Sequence, residues 1–497
     1  MVFLFLPNSI QNNYMKREFI LNLSFLILIN LMIKPLYIFG IDVGVQNAVG
    51  PERYGLYFYF LGFIYLFQFI NDFGIQNFNN RFISLNEKLL GKYFPHILSI
   101  KLSLGLVFFS GIILTGWALG LVKMNPFLFG IIGLNLFLDS MNAYLRSNIA
   151  GLGWYRKDSF LSVTDKLIMI FLVGYLLLNE QTRAVFSIEW FALAQTISFF
   201  SVSLICLYLL RKKARPKFSI PDKKYFFLIL RKSFPFALIL ISTFLYNRLD
   251  GVMIGYILED GERQAGYYAA AYRLYDAATM LTFLFIGLLY PMFSKMLSRN
   301  EQPAELYQFG STLLWILSLV ILLIFLLFPS EIMNLLYLEP GPDAAMVLML
   351  LGTAFVFKSI FNLSGAYLLA FGDLRKMNIV LLAGLMINFF VNLILIPKLG
   401  IIGACIATLA TQFLVALLLF IRATRFSSGK MGIPTLLKGL AVFLITVTPV
   451  IYFQANTDAG DILKKSIQVL PVFALFLVII AVTFYKNSFR IRKWLDK

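Results

Sequence analysis

Gly50-Pro51-Glu52-Arg53-Tyr54-Gly55-Leu56-Tyr57 returns about 211 residues later as Gly261-Glu262-Arg263-Gln264-Ala265-Gly266-Tyr267-Tyr268. Each segment is polar, opens on glycine and joins two long apolar runs. A second pair repeats the pattern: Ala143-Tyr144-Leu145 leading to Arg156-Lys157, and Ala366-Tyr367-Leu368 leading to Arg375-Lys376. Each likeness is short, yet both fall at equivalent places when the chain is counted in units of six apolar runs. Six is even, so two such units share one orientation in a bilayer. They are parallel repeats about an axis along the membrane normal, an architecture of secondary transporters whose site lies between the halves.

The apolar runs follow outward from these corners. A spanning helix needs about 20 mostly apolar residues. Fourteen runs qualify, near 19–41, 54–75, 97–121, 126–145, 159–178, 187–210, 234–257, 266–292, 309–332, 344–371, 377–397, 400–421, 436–455 and 466–485. The expected fold is therefore all-α and polytopic. Residues 15–210 form an N-lobe of six helices, 211–232 a basic cytoplasmic linker and 233–425 a C-lobe of six. Two further helices and a basic tail occupy 426–497. Met15-Lys16-Arg17 reads as a natural start for a membrane chain.

Composition agrees. Of 497 residues, 60% are hydrophobic and 14% charged, against about 25% charged in soluble domains. Mean hydropathy is +0.81. The chain carries 43 Lys+Arg against 25 Asp+Glu, a net charge of +18. A nucleic-acid binder shows its surplus on a polar, soluble face, so nucleic acid is not the expected partner. With the amino terminus in the cytoplasm, 30 basic residues fall in inside segments and 7 in outside loops. The positive-inside rule then places both termini on the cytoplasmic side. The basic linker reads as a solvated segment held against anionic lipid headgroups.

Several chemistries are excluded. Cys206 and Cys405 lie in apolar runs, His96 is the single histidine, and no CxxC pair or P-loop occurs. No metal site, cofactor or ATPase is expected. The outside loops are too short for a catalytic domain, which argues against an enzyme such as a membrane glycan polymerase or transferase.

Apart from Lys438 at the cytoplasmic start of the thirteenth run, six basic residues lie inside the runs. Lys101 and Lys166 are near enough to the inner surface to snorkel. Lys34, Arg248, Arg273 and Lys358 are deep, and leaving four in lipid costs about 10–14 kcal/mol. They must face protein or water. Lys34 has Asn30 one turn away and Pro35 beside it. Pro35 frees the Leu31 carbonyl and marks a kink or hinge. Arg248 and Asp250 point to different faces, whereas Ala269, Tyr272, Arg273 and Asp276 share one. Asn135, Asp139, Asn142 and Arg146 form a polar stripe on the fourth run, and Asn362 lies one turn from Lys358. Two readings stay open for the seventh and eighth runs: ion pairs of Arg248 with Asp276 and Arg273 with Asp250, or cations lining a cavity. Gly251 and Gly255 read as a packing face.

Several stretches resemble the polysaccharide-exporter flippases of the multidrug/oligosaccharidyl-lipid/polysaccharide (MOP) superfamily. They are Phe234-Pro235-Phe236-Ala237, Tyr246-Asn247-Arg248-Leu249-Asp250-Gly251-Val252-Met253-Ile254-Gly255, and Ala265 through Arg273. Also similar are Val49 through Tyr57, Asp72-Phe73-Gly74 and Asn392 through Ala404. The resemblance implies two six-helix lobes around a V-shaped, MATE-like cavity, with two extra helices. It implies transport of undecaprenyl-pyrophosphate-linked oligosaccharide, an O-antigen, capsule or exopolysaccharide unit, by alternating access. Lys34, Arg248, Arg273 and Lys358 would meet the pyrophosphate. Asp139, Asp250 or Asp276 would take a coupling proton or sodium ion. Asn30, Asn135, Asn142, Tyr272 and Asn362 would line the cavity. Membrane lipids and other polysaccharide-assembly proteins are the implied partners. Peptidoglycan lipid II flippases place cations on their first, second and eighth helices; Lys34 and Arg273 match in helix and depth, but the second run here carries none. A drug or cation antiporter of the superfamily is the other relative, expected to line its cavity with acids.

Overall fold

The computed structural model describes residues 28–76, 79, 83, 89–214 and 223–426. The start of the first expected run, residues 215–222 of the linker, the last two runs and the tail lie outside the described residues. Twelve helical arms follow in chain order: α1 (28–49), α2 (51–65), α3 (Leu89–Ala118), α4 (Pro126–Gly151), α5 (Tyr155–Leu178) and α6 (Ile188–Leu210), then α7 (Lys223–Ile257), α8 (Gly261–Ser298), α9 (Ala304–Leu327), α10 (Ala344–Phe371), α11 (374–399) and α12 (401–426). Nine helices among the described residues are long and apolar enough to cross a membrane. Two of these, Leu28–Tyr65 and Leu374–Phe426, each hold two arms joined at a glycine. The chain is a multi-pass membrane protein.

Local chemistry sets the corners. Gly50 turns α1 into α2 at φ 81°, a left-handed value that favours glycine, and Pro51 follows at the first helical position, where its missing N–H costs nothing. Gly400 does the same between α11 and α12 at φ 59°. Asn125 caps α4, its side chain accepting from Leu128 N at 3.0 Å, with Pro126 again first in the helix.

Pro35 leaves a different mark from a simple bend. The segment just after it, Tyr37–Asp42, is π-helical, a wider winding than the α-helix on either side.

The second run does not continue unbroken to residue 75. It stops at Tyr65, and a short helix Gln68–Asp72 ends in Phe73 at φ 42°. Polar side chains compensate the interruption. Gln68 and Asn71 both donate to the Leu136 carbonyl, at 3.0 and 3.3 Å. Lys101 donates to the Asn71 carbonyl at 2.7 Å and to Ser140 Oγ, and its ammonium lies 3.7 Å from Asp72. Lys101 is 1% exposed. The expected snorkelling does not occur, because a buried carboxylate and a freed carbonyl lie closer than water.

The chain forms two compact units. One runs through Ala270 and takes in Leu336–Pro340 and Phe389–Ala404; the other comprises Ala271–Leu335, Gly341–Asn388 and the chain from Cys405 on. The core of the first includes Ile97, Ile100, Tyr144, Leu145, Val202 and Cys206 on α3, α4 and α6. That of the second is centred on Trp315, Leu319, Leu322 and Val356 of α9 and α10.

Within the first unit the two echoing segments pack on each other. A Cβ on Gly55 would lie 1.7 Å from the Glu262 carbonyl oxygen, and one on Gly266 would lie 1.9 Å from that of Pro51. Gly55 and Gly266 are equivalent in the echo, as are Pro51 and Glu262, so the contact is reciprocal. Gly251 and Gly255 extend it, admitting the rings of Phe58 and Tyr59 where a Cβ would come within 2.5 Å. This is the close approach expected of small residues between membrane helices.

Candidate polar site

One group of polar side chains in the first unit lies on α1, α4, α5 and α6. Asn30 is buried and donates to Ser162 Oγ of α5 at 3.2 Å. Lys34, one turn on, is half-buried and makes no hydrogen bond or ion pair with another described residue. Of the charged groups, Lys166 acts on it most strongly, ahead of Asp165 and Arg146. Lys166 does not reach for the surface. Its ammonium is held by Asp165 at 3.0 Å, 4.7 Å from the Tyr37 ring centroid of α1 and 5.7 Å from that of Phe199 on α6.

The α4 stripe divides. Asn135 donates to the Ala192 carbonyl at 2.9 Å and accepts from Thr196 at 2.6 Å. Asn142 donates to the Phe199 carbonyl at 2.9 Å and accepts from Ser203 at 2.7 Å. Both are buried and fasten α4 to α6. Arg146 bonds Asp158 at 2.8 Å and ties α4 to α5. Asp139 differs: it is exposed, makes no ion pair or hydrogen bond with another described residue, and lies within electrostatic reach of Lys166 and Asp165. A carboxylate exposed midway along a membrane helix must face water or a ligand, since lipid would charge it several kcal/mol (about 2.5–3.5 on the insertion scale).

On α7, Asp250 is buried and its two oxygens are both engaged. Tyr268 donates at 3.1 Å and Asn392 at 2.7 Å. Arg248 is half-buried, its guanidinium 5.3 Å from the Tyr65 ring centroid. A sequence view could not supply these partners, which come from α2, α8 and α11.

The second unit carries Tyr272, Arg273 and Asp276 on α8 and Lys358 and Asn362 on α10. Lys358 is 2% exposed, with its ammonium 4.5 Å from the Phe361 ring centroid. Asp276 is the charged group acting on it. The acid that Lys358 lacks on its own helix is thus provided by a neighbour. Arg273 and Asp276 are half-buried. Tyr272 is buried, 5.3 Å from Tyr275, whose hydroxyl accepts from Gln412 at 3.3 Å.

Two groups escaped sequence reasoning in part. The Lys101–Asp72 pair needed the break after Tyr65, which no proline or glycine announces. The placing of Lys166 was legible in one respect: Asn30 and Lys34, and Ser162 and Lys166, share a spacing of four.

The family described as polysaccharide biosynthesis protein matches residues 20–297, more than half of the chain. The chain belongs to this family. Two uncharacterized membrane proteins of Methanocaldococcus jannaschii are 24% identical to it. One match covers 56% of this chain and 55% of the relative, the other 66% and 79%. The chain thus spans about half of the first of them. A protein of Haloferax volcanii named a probable low-salt glycan biosynthesis flippase is 26% identical over 34% of this chain and 36% of its own length. Among solved structures, the lipid II flippase MurJ in an inward closed conformation has a TM-score of 0.66 at 17% identity, over 93% of this chain and 99% of that one. A multidrug resistance MATE family transporter of the MOP superfamily, inward-facing, has 0.61 at 18%, over 83% and 99%. These likenesses show the fold. This member of the polysaccharide biosynthesis family has the helical architecture of the MOP superfamily.

Proposed function

We propose that the chain carries an undecaprenyl-pyrophosphate-linked oligosaccharide, the repeat unit of an O-antigen, capsule or exopolysaccharide. It moves this lipid from the inner to the outer face of the cytoplasmic membrane by alternating access. The observation that carries the reading is Lys34, half-buried in a membrane helix and paired with no described residue. Lysine at such depth costs about 2.5–3.5 kcal/mol when nothing neutralises it. An anionic ligand that arrives and leaves repays that cost only while bound, as a carrier requires.

Lys34 and Arg273 are the first contacts for the pyrophosphate, with Arg248 and Lys358 contributing charge. Charge-assisted contacts of this kind are stronger where the dielectric is low. Arg248 and Tyr65, both partly exposed, offer a surface for the first sugars. Among the three carboxylates expected to couple an ion, Asp139 is the accessible one, whereas Asp250 already accepts two hydrogen bonds. Asp139 is the acid assigned to a proton or sodium ion, and the π-helical turn after Pro35 is the assigned hinge. Both termini are cytoplasmic, and polysaccharide-assembly proteins act before and after this step.

The family's description and the Haloferax volcanii relative support a glycan-lipid substrate. The test is export by the double variant Lys34→Ala/Arg273→Ala at normal abundance in the membrane. Loss of surface glycan, with lipid-linked glycan held on the inner leaflet, is the expected result. Wild-type export removes the pyrophosphate-binding reading. Cell lysis on depletion, in place of glycan loss, identifies peptidoglycan lipid II as the cargo.

A further inference from the structure

We propose that Lys166 of α5 is a second anion-binding residue beside Lys34. The two ammonium groups together take the pyrophosphate bridge, and Asp165 is the resident counter-ion that Lys166 gives up. The inference rests on the function proposed above and adds a residue and a selectivity to it.

Asn30 of α1 bonds Ser162 of α5, and Tyr37 lies against Lys166. Further along, a Cβ on Gly44 would lie 3.0 Å from Leu177. Residue numbers rise together along both helices, so α1 and α5 run parallel. Lys34 is four residues after Asn30, and Lys166 is four after Ser162. Both backbones therefore stand about 6 Å beyond the bonded pair and at one level. Lys166 is accordingly the strongest charged influence on Lys34. The two ammonium groups repel each other across the helix pair, partly offset by Asp165, with Asp139 of α4 and Asp42 of α1 also acting on Lys166; an anion bound by both lysines removes the repulsion that is left.

The partner of Lys166 supports a ligand role. Arg146–Asp158 joins α4 to α5, and Arg422–Asp373 joins residue 422 of α12 to the turn before α11. Lys166–Asp165 joins no two elements, because the residues are chain neighbours. A pair that fastens nothing can open without loosening the fold. The Tyr37 and Phe199 rings keep the ammonium in place when it does. Chemistry then sets the selectivity. A pyrophosphate diester carries two adjacent negative charges for two lysines, whereas a monophosphate carries fewer charged oxygens across the same span.

The test measures equilibrium binding of farnesyl pyrophosphate and farnesyl monophosphate to the purified full chain in detergent. Wild type should prefer the pyrophosphate. Lys34→Gln and Lys166→Gln should each weaken it about tenfold or more, the size of one charge-assisted contact, and shrink the preference. Lys166→Arg should keep most of the affinity, and Asp165→Asn should bind at least as tightly as wild type. Weakening by Lys34→Gln but not by Lys166→Gln overturns this inference and leaves the carrier reading standing. Loss of binding in Asp165→Asn equal to that in Lys166→Gln shows a structural pair and also overturns it. Unchanged affinity in both lysine variants removes the carrier reading itself.

Discussion

Lys101 and Asp72 set the terms at the scale of single residues. Each is almost fully buried, and each depends on the other, on Ser140 and on the Asn71 carbonyl for compensation. Removing one partner of such a pair costs about 3–5 kcal/mol, because a charge is left alone in a low dielectric. Lys101→Ala should therefore lower thermal stability in detergent sharply. Replacing both, as Lys101→Met with Asp72→Leu, should recover most of it. Equal loss in the single and double variants would show that the broken second helix, rather than the charge balance, was what suffered. Lys34 is the contrasting residue. It stabilises nothing by pairing, so Lys34→Ala should leave the melting temperature unchanged or raised while lowering export; a collapse of the fold would assign it a structural part. From sequence both lysines are alike, basic residues inside apolar runs. The difference lies in which neighbour each meets, and helical periodicity does not encode that.

At the scale of elements, the sequence is most legible where chemistry is local. The tenth run, 344–371, coincides with α10, since a continuous apolar stretch ends at Gly372 in the left-handed region. The corners at Gly50 and Gly400 were readable for the same reason. The break after Tyr65 was not, because Gln68, Asn71 and Asp72 are stabilised by α3 and α4 rather than by their own helix. Asn135 and Asn142 carried an ambiguous signal: a polar stripe can face a cavity or a neighbouring helix, and here both amides bind α6. The glycine contact between the echoing corners gives a direct test. A Cβ at 1.7 or 1.9 Å from a carbonyl oxygen cannot be accommodated without moving backbone. Gly55→Ala and Gly266→Ala should each cost about 1–3 kcal/mol, and the pair together should cost less than the sum, since they strain one seam. Full additivity, measured by denaturation of the four forms, would show that the two glycines do not share a contact.

At the scale of the whole molecule, the basic surplus has two parts. Thirty basic residues fall in segments expected on the inner side; if they orient the chain as proposed, a tag fused to the carboxyl terminus should be reachable from the cytoplasm and from nowhere else. Accessibility from outside would reverse every loop assignment. The remaining signal is the small set of cations within the helices, of which Lys34 in one unit and Lys358 with Asp276 in the other are the clearest. Composition pointed to a membrane protein, the echoing corners to its repeats, and the deep cations to an anionic cargo. The acid that acts on Lys358 became visible only once α8 and α10 were side by side. The most direct measurement follows the cargo itself. Cells lacking the chain are analysed for pyrophosphate-linked oligosaccharide on each leaflet of the cytoplasmic membrane. The expected result is accumulation on the inner leaflet, relieved by the wild-type chain and not by Lys34→Ala/Arg273→Ala. An unchanged distribution between leaflets, with surface glycan made at the normal rate, would contradict it.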